Sequence, residues 1–289
     1  MRPLNPFEYF EPRTLAEAVQ NLHMYGERAK VLAGGVDLVP KMRQRKIKPE
    51  CVVSLQGIPG LDYIESDGIG LRIGALTTLR SIELSPLIHK NYRILYEAIQ
   101  GVASIQVKNM GTAVGNLCVA TPASDVAPPL YVLGAKLRIT SVVLERIISI
   151  EDFFTGVSQT VLQPGEIIIE ILLPRPSTES GGAFLKLVRT ADDIAKVNVA
   201  VMVRIRDGIC DEAKVAVGSV ASTVIRAKKS EETLKGKKLA PKVIELAAEA
   251  AAEEISPITD IRSTVEYRKE MTKILVGRAV EKAIDRARI

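Results

Sequence analysis

The sequence predicts an α+β chain in two units, and three observations carry that reading. An apolar, strand-like stretch at residues 30–33 runs into a Gly34-Gly35 turn and then a helix-forming segment. Further strand-like stretches recur up to residue 173, where a tract rich in proline, serine and glycine interrupts them at 174–182. Beyond it, more strands lead into an alanine-rich tail with helical spacing. The expected units are residues 1–175, with subdomains of about 1–57 and 58–175, and residues 183–289.

Taken in order, the first element is a helix. Thr14 and Glu17 have the spacing of a capping box ahead of Leu15, Ala18, Val19 and Leu22, which recur at helical intervals. Residues 30–33 form a buried strand that Gly34-Gly35 ends, and Asp37 can cap a helix running to about Arg45. Pro40 fits its first turn, where a missing amide does no harm. Residues 51–55 give a second strand. The glycine turn thus sits at the carboxyl end of a strand, where α/β arrangements place ligands. Gly57-Ile58-Pro59-Gly60 then breaks the chain. A strand at 71–75, a short helix after Thr77-Thr78 and a longer helix at 92–103 follow. A second glycine loop covers 109–116, and Val126-Ala127-Pro128-Pro129-Leu130 starts another helix. Residues 136–142, 145–150 and 166–173 are strand-like, as in a mixed sheet. After the linker come strands at 183–188, 197–206 and 213–220, then helices at 241–254 and 265–288. These make a small antiparallel sheet packed on helices.

Composition narrows the function. With 289 residues, 47% hydrophobic and 25% charged, the chain can bury a substantial core. No apolar run is long enough to span a bilayer, and Met1 to Phe7 lacks the apolar core of a signal peptide, so a cytoplasmic protein is expected. Cys51, Cys118 and Cys210 lie far apart without a CxxC pair, and His23 and His89 are the only histidines. No metal site and no catalytic triad is therefore expected from this chain. The net charge of +5 comes with basic runs around Lys41–Lys48 and Lys228–Lys238. Aromatics are only 4% and tryptophan is absent, so solvated faces account for these runs and nucleic-acid binding is not expected.

Chemistry concentrates in the two glycine turns. Glycine lets backbone approach a ligand, and successive inward amides form a nest for anions. Two nests on one chain suit a pyrophosphate with a sugar on each side, which points to a dinucleotide. Thr112 and Asn116 add a hydroxyl and an amide beside Gly111 and Gly115. Each has a plain alternative: Asn116 can satisfy its own turn, Asp37 can be an N-cap, and Asp125 can cap the helix after it. As a ligand, Asp125 would accept from sugar hydroxyls. Neither a Walker sequence nor a GxGxxG fingerprint is present.

These residues resemble the flavoprotein (medium) subunit of the molybdenum hydroxylases, the xanthine dehydrogenase and carbon monoxide dehydrogenase family. Leu32-Ala33-Gly34-Gly35-Val36-Asp37-Leu38 resembles its first FAD motif. Gln106 to Asn116, continued through Asp125-Val126-Ala127-Pro128, resembles the second. Gly165-Glu166-Ile167-Ile168 is similar to the strand closing the FAD domain. Phe184-Leu185-Lys186, Arg189 and Asp192 to Val197 look like the loop facing the flavin ring, and Asp260-Ile261-Arg262 with Glu266-Tyr267-Arg268 resembles the family's C-terminal domain.

The resemblance implies a two-lobed FAD-binding domain of the vanillyl-alcohol-oxidase (PCMH) type, followed by a C-terminal sheet-plus-helices domain. It implies that Ala33, Gly34, Gly35 and Asp37, with Leu32 and Val36 alongside, hold the pyrophosphate. Gly111, Thr112, Gly115, Asn116 and Asp125 would hold the remaining phosphate and sugar groups, and Ile168 and Lys186 would lie near the ring. No catalytic acid or base is implied. The chain would be an oxidoreductase subunit that takes electrons from iron–sulfur clusters in a small subunit, after a molybdopterin-bearing large subunit has oxidised the substrate. It would deliver them to an external acceptor such as NAD. Asp192 and Asp193 can shape the acceptor's approach or be ordinary solvated charges. A stand-alone flavin oxidase and a non-redox nucleotide-binding scaffold are the alternatives. Three residues depart from the family pattern: Val36 for a hydroxyl residue, Val114 for a glycine, and Lys108 for an arginine. The cysteine-bearing insertion of 4-hydroxybenzoyl-CoA reductase flavoprotein subunits is missing, so no extra cluster is expected.

Overall fold

A computed structural model describes residues 3–287. The outer ends of the expected units, at residues 1 and 289, and the expected helix end at Arg288 lie outside the described residues.

The first lobe is a small parallel sheet. It runs β1 (Glu8–Phe10), α1 (Leu15–Tyr25), β2 (Ala29–Leu32), α2 (Leu38–Arg43) and β3 (Cys51–Ser54), with strand order β1-β3-β2. Thr14 caps α1 by accepting from the Glu17 N–H at 3.2 Å. The return bond differs from a capping box, because the Glu17 carboxylate reaches the Arg13 N–H at 2.7 Å. Ala18, Val19 and Leu22 pack on Cys51, Val53 and Leu55 as their spacing requires. β1 has too few residues to show a period and was not expected.

The middle lobe begins with β4 (Ile64–Ser66) and β5 (Gly70–Gly74) and continues through six short helices. These are α3 (Leu79–Leu84), α4 (Pro86–Asn91), α5 (Arg93–Gln100), α6 (Ile105–Met110), α7 (Ala113–Val119) and α8 (Ala127–Leu133). Then come β6 (Lys136–Thr140), β7 (Glu145–Ser149), the hairpin β8 (Phe154–Gly156) and β9 (Gln159–Thr160), and β10 (Ile167–Pro174). Five of these strands form one sheet in the order β4-β5-β10-β6-β7, and every pairing is antiparallel. The expected mixed sheet is therefore two sheets, one parallel and one antiparallel, because the break at residues 57–60 separates them. The second glycine loop is also mostly helix: only Gly111 and Thr112 stand between α6 and α7.

The C-terminal unit contains β11 (Ser180–Leu187), β12 (Val197–Arg206), β13 (Ile209–Gly218), β14 (Ile225–Arg226), α9 (Lys228–Leu234), α10 (Pro241–Glu254) and α11 (Val265–Ala287). Its sheet is antiparallel in sequential order, as expected. The linker is shorter than predicted, because β10 runs through Pro174 and β11 already starts at Ser180. Val197, Val199, Val201 and Val203 on β12 face the helices, while Ala200 and Met202 on its other face join the middle lobe's core. The period of two thus gives this strand two apolar faces and seats the unit against the middle lobe.

Arg268, 3% exposed, ties α11 to that sheet through the carbonyls of Lys196 (2.6 Å) and Ser219 (2.7 Å) and the Asp260 carboxylate (2.8 Å). Elsewhere on α11, a Cβ at Gly277 would meet nothing nearer than Ile244 at 4.0 Å. Gly277→Ala should therefore stabilise the chain by about 1 kcal/mol through helix propensity. Thermal unfolding should show a rise of about 2 °C; a fall would mean the helix needs glycine there.

Candidate functional site

The two glycine turns meet in space. Gly34 lies so close to the end of α6 that a Cβ there would stand 1.8 Å from the Met110 carbonyl oxygen. Only glycine permits that approach. Gly35 follows with φ of +70°, which L side chains rarely adopt. The Leu79 N–H donates to the Gly111 carbonyl at 2.8 Å, and Thr78 bridges to Thr112. The β2–α2 turn of the first lobe and the α6–α7 junction of the middle lobe thereby form one wall.

Along that wall runs a cleft of about 1140 Å³. Ala33, Gly34, Gly35, Val36 and Asp37 border it from one turn, and Gly111, Thr112, Gly115 and Asn116 from the other. Asp125, Ile168 and Lys186 border it too, so of the candidate residues only Leu32 is not in the lining. The Leu32 side chain packs under Gly35 instead.

Local reasons place each polar group. The Thr112 hydroxyl accepts from the Gly115 N–H at 2.9 Å and caps α7. Gly115 leaves room for that hydroxyl, since a Cβ would lie 2.8 Å from it. Asn116 Oδ1 accepts from Ser124 Oγ at 2.6 Å. Asp37 stands at the start of α2, but its side chain makes no capping bond. Asp125 does not cap α8 either; the N-cap position is Val126, and the Ala127 N–H donates to Ser124 Oγ at 3.1 Å.

Asp125 is instead a buried anion. Lys186 Nζ donates to its Oδ2 at 2.7 Å and Asn198 Nδ2 to its Oδ1 at 2.7 Å. Burial pushes its carboxyl above the usual carboxylate range, and the opposing pull of Lys186 and Asn198 does not fully cancel that. Lys186 also donates to the Gly101 carbonyl at 2.8 Å. Asp125 was expected near the sugars and Lys186 near the ring; the fold joins them in one ion pair. Lys108 points away from the cleft, paired with Glu83 at 2.7 Å. Val114 is helical and packs into the middle core. Two of the three departures from the family pattern thus have structural tasks, while the third, Val36, borders the cleft.

Lys30, Lys41, Ser124 and Ser158 also line the cleft and were not singled out. Lys41 belongs to a basic stretch that reads as solvated, and Lys30 to the strand expected at 30–33. Ser158 reaches the cleft from the β8–β9 hairpin tip at φ of +57°, which no local signal announces. Apolar lining comes from Ala75, Leu79, Val102 and Ile168. Side-chain-free backbone, hydroxyl and amide donors and an apolar stretch together suit a pyrophosphate, sugars and a flat ring, so the residues fit FAD.

Cys118 offers a probe of occupancy. Water reaches its side chain through the cleft, yet surrounding protein pushes the thiol up to about 12. Cys51 and Cys210 are buried. Maleimide should label Cys118 slowly and selectively, and added FAD should suppress it. Peptide mapping that finds equal labelling with saturating FAD would place the cofactor elsewhere.

Comparison with known proteins points to the same cofactor. Residues 5–176 match the family described as the FAD binding domain in molybdopterin dehydrogenase, and residues 182–283 match the CO dehydrogenase flavoprotein C-terminal domain. The carbon monoxide dehydrogenase medium chain of Afipia carboxidovorans is 33% identical, over 98% of both chains. The nicotinate dehydrogenase FAD-subunit of Eubacterium barkeri is 32% identical over 92% of both. In the solved carbon monoxide dehydrogenase from Hydrogenophaga pseudoflava, one chain superposes with a TM-score of 0.96 at 32% identity, covering 98% of this chain and 99% of that one. With both units matched and nearly every residue aligned, this chain belongs to the FAD-binding medium subunits of the molybdenum hydroxylase family.

Proposed function

We propose that this chain is the electron-transfer subunit of a molybdenum hydroxylase complex. Its task is to place FAD between iron–sulfur clusters of a small subunit and an external acceptor such as NAD. Substrate oxidation then belongs to a molybdopterin-bearing large subunit. Bound FAD supplies the exchange between one-electron and two-electron transfer. The residues of this chain bind, orient and shield it. Backbone at Ala33, Gly34, Gly35 and Gly111 receives the pyrophosphate, with Asp37 beside it. Thr112, Gly115 and Asn116 face the phosphate–sugar chain, Ile168 packs on the ring, and the Asp125–Lys186 pair sets the charge of the adjoining wall.

The observation that carries this reading is the packing of Gly34 on Met110, which makes one cleft from two lobes. Asp193 turns toward Arg189 at 3.3 Å, while Asp192 is exposed beside it at the cleft's edge, free to meet an acceptor. Relatives of near-equal identity are named for carbon monoxide and for nicotinate, which fits substrate choice in another polypeptide.

The test is a visible absorption spectrum of the natively purified protein with its associated chains, followed by anaerobic addition of NADH. Flavin bands over broad iron–sulfur absorption, bleached by NADH, are the expected result. Flavin bands with no companion polypeptide would instead make this a self-contained oxidase. A complex bleached only by other reductants would remove NAD as the acceptor.

A further inference from the structure

The turn at residues 121–125 borders the cleft, but part of what holds it comes from the C-terminal unit. Asn198 on β12 is 0% exposed and is not among the residues lining the cleft. Its Nδ2 donates to the Ser124 carbonyl at 3.0 Å and to Asp125 Oδ1 at 2.7 Å. Its Oδ1 has no partner and faces Gly218, where a Cβ would lie 2.2 Å away. A buried amide satisfied at one end only is unfavourable for packing, so its working end asks for an explanation.

That end leads to the cleft. The Ser124 hydroxyl accepts from the Ala127 N–H and gives its single proton to Asn116 Oδ1 at 2.6 Å. With Oδ1 so occupied, the donor end of the Asn116 amide is the one left for the cleft it borders. Nearby, the Ser219 N–H donates to the Pro122 carbonyl at 2.8 Å, which fixes the same turn from β13's end.

We propose that Asn198 is a positioning residue for the cofactor: by pinning Ser124 from the C-terminal unit, it turns the Asn116 amide donor toward an oxygen of the FAD phosphate–sugar chain. The inference rests on the reading of the cleft given above. It makes the C-terminal unit part of the FAD site through a side chain that never touches FAD.

The test is a double-mutant cycle on the full chain stripped of flavin, with FAD affinity read by fluorescence titration and thermal midpoints recorded without FAD. Asn116→Ala should weaken FAD about 10-fold, the loss of one hydrogen bond to a charged group. Asn198→Ala should weaken it comparably, and the double variant should be no weaker than either single one within about 2-fold. Affinity losses that multiplied in the double variant would mean that Asn198 acts on FAD independently of Asn116, and that result overturns the proposal. An unchanged affinity in Asn198→Ala overturns it equally. If Asn116→Ala itself leaves affinity unchanged, the placement of Asn116 at the cofactor fails, and that failure is distinguishable from the others. Should Asn198→Ala not fold, Ser124→Ala breaks the same path with Asn198 in place and must show the same non-additivity with Asn116→Ala.

Discussion

Gly34→Ala is expected to weaken FAD binding about 10- to 100-fold, the effect of an overpacking strain of about 1–3 kcal/mol concentrated at the cofactor wall. The added methyl would stand 1.8 Å from the Met110 carbonyl oxygen and 2.6 Å from its carbon. Carbon atoms in contact sit about 3.5–4.0 Å apart, and both groups are backbone, so no side-chain rotation relieves the clash. The β2–α2 turn and the α6–α7 junction must part, and the cleft between them widens. Flavin titration of the stripped chain measures the loss, with Gly277→Ala as the comparison that leaves affinity unchanged. Wild-type affinity in Gly34→Ala would mean the two turns do not jointly hold FAD.

Glu170→Ala should destabilise the chain by about 3 kcal/mol. Glu170 lies on β10, the central strand of the antiparallel sheet, with its side chain 1% exposed. It accepts from Arg72 Nε at 2.8 Å, Arg138 Nε at 2.5 Å and the Tyr63 hydroxyl at 2.6 Å. Removing it leaves Arg72 without its anion and Arg138 with Glu145 alone, at 2.6 Å. Breaking a buried pair is worth about 3–5 kcal/mol, and because both arginines are partly exposed and can rehydrate, the low end applies.

The same cluster gives a pH signature. Burial alone would raise the Glu170 carboxyl, but the bonds from Tyr63, Arg72 and Arg138 outweigh it and hold it below the usual carboxylate range. A folded-state value below the unfolded one means the stabilisation is complete above the ordinary glutamate range. It is lost as pH falls through the lowered value. The stability gap between wild type and Glu170→Ala, measured by thermal unfolding, should therefore be full at neutral pH and shrink in acid. A gap that stays constant into acid would show that the ionised carboxylate contributes nothing.

Several elements show why some features were legible and others were not. Thr14 and Thr78 each cap a helix through contacts three residues away, which a sequence displays directly; Ser104 does the same for α6, which was not expected. Ser85-Pro86 carries the same kind of signal for α4 and was passed over. The start of β13 was placed at 213 rather than Ile209, although Asp207-Gly208 forms the two-residue hairpin turn, with φ of +50° and +77°, that such a pair favours. β14, two residues long, and α9, which has no side-chain cap, offered no local signal at all.

At the cleft the division follows sequence distance. The alternation of elements, the two glycine turns and, through motif order, the family are all legible in the amino-acid sequence. These properties reside in backbone freedom and short-range periodicity, so neighbours along the chain suffice to express them. It takes the packed fold to bring Gly34 against Met110, to pair Asp125 with Lys186 and Asn198, and to gather Arg72 and Arg138 on Glu170. Each of those contacts joins residues from different strands or lobes. A charge or an amide states what it can bond, but which partner it meets is set by strand register and by how the lobes pack.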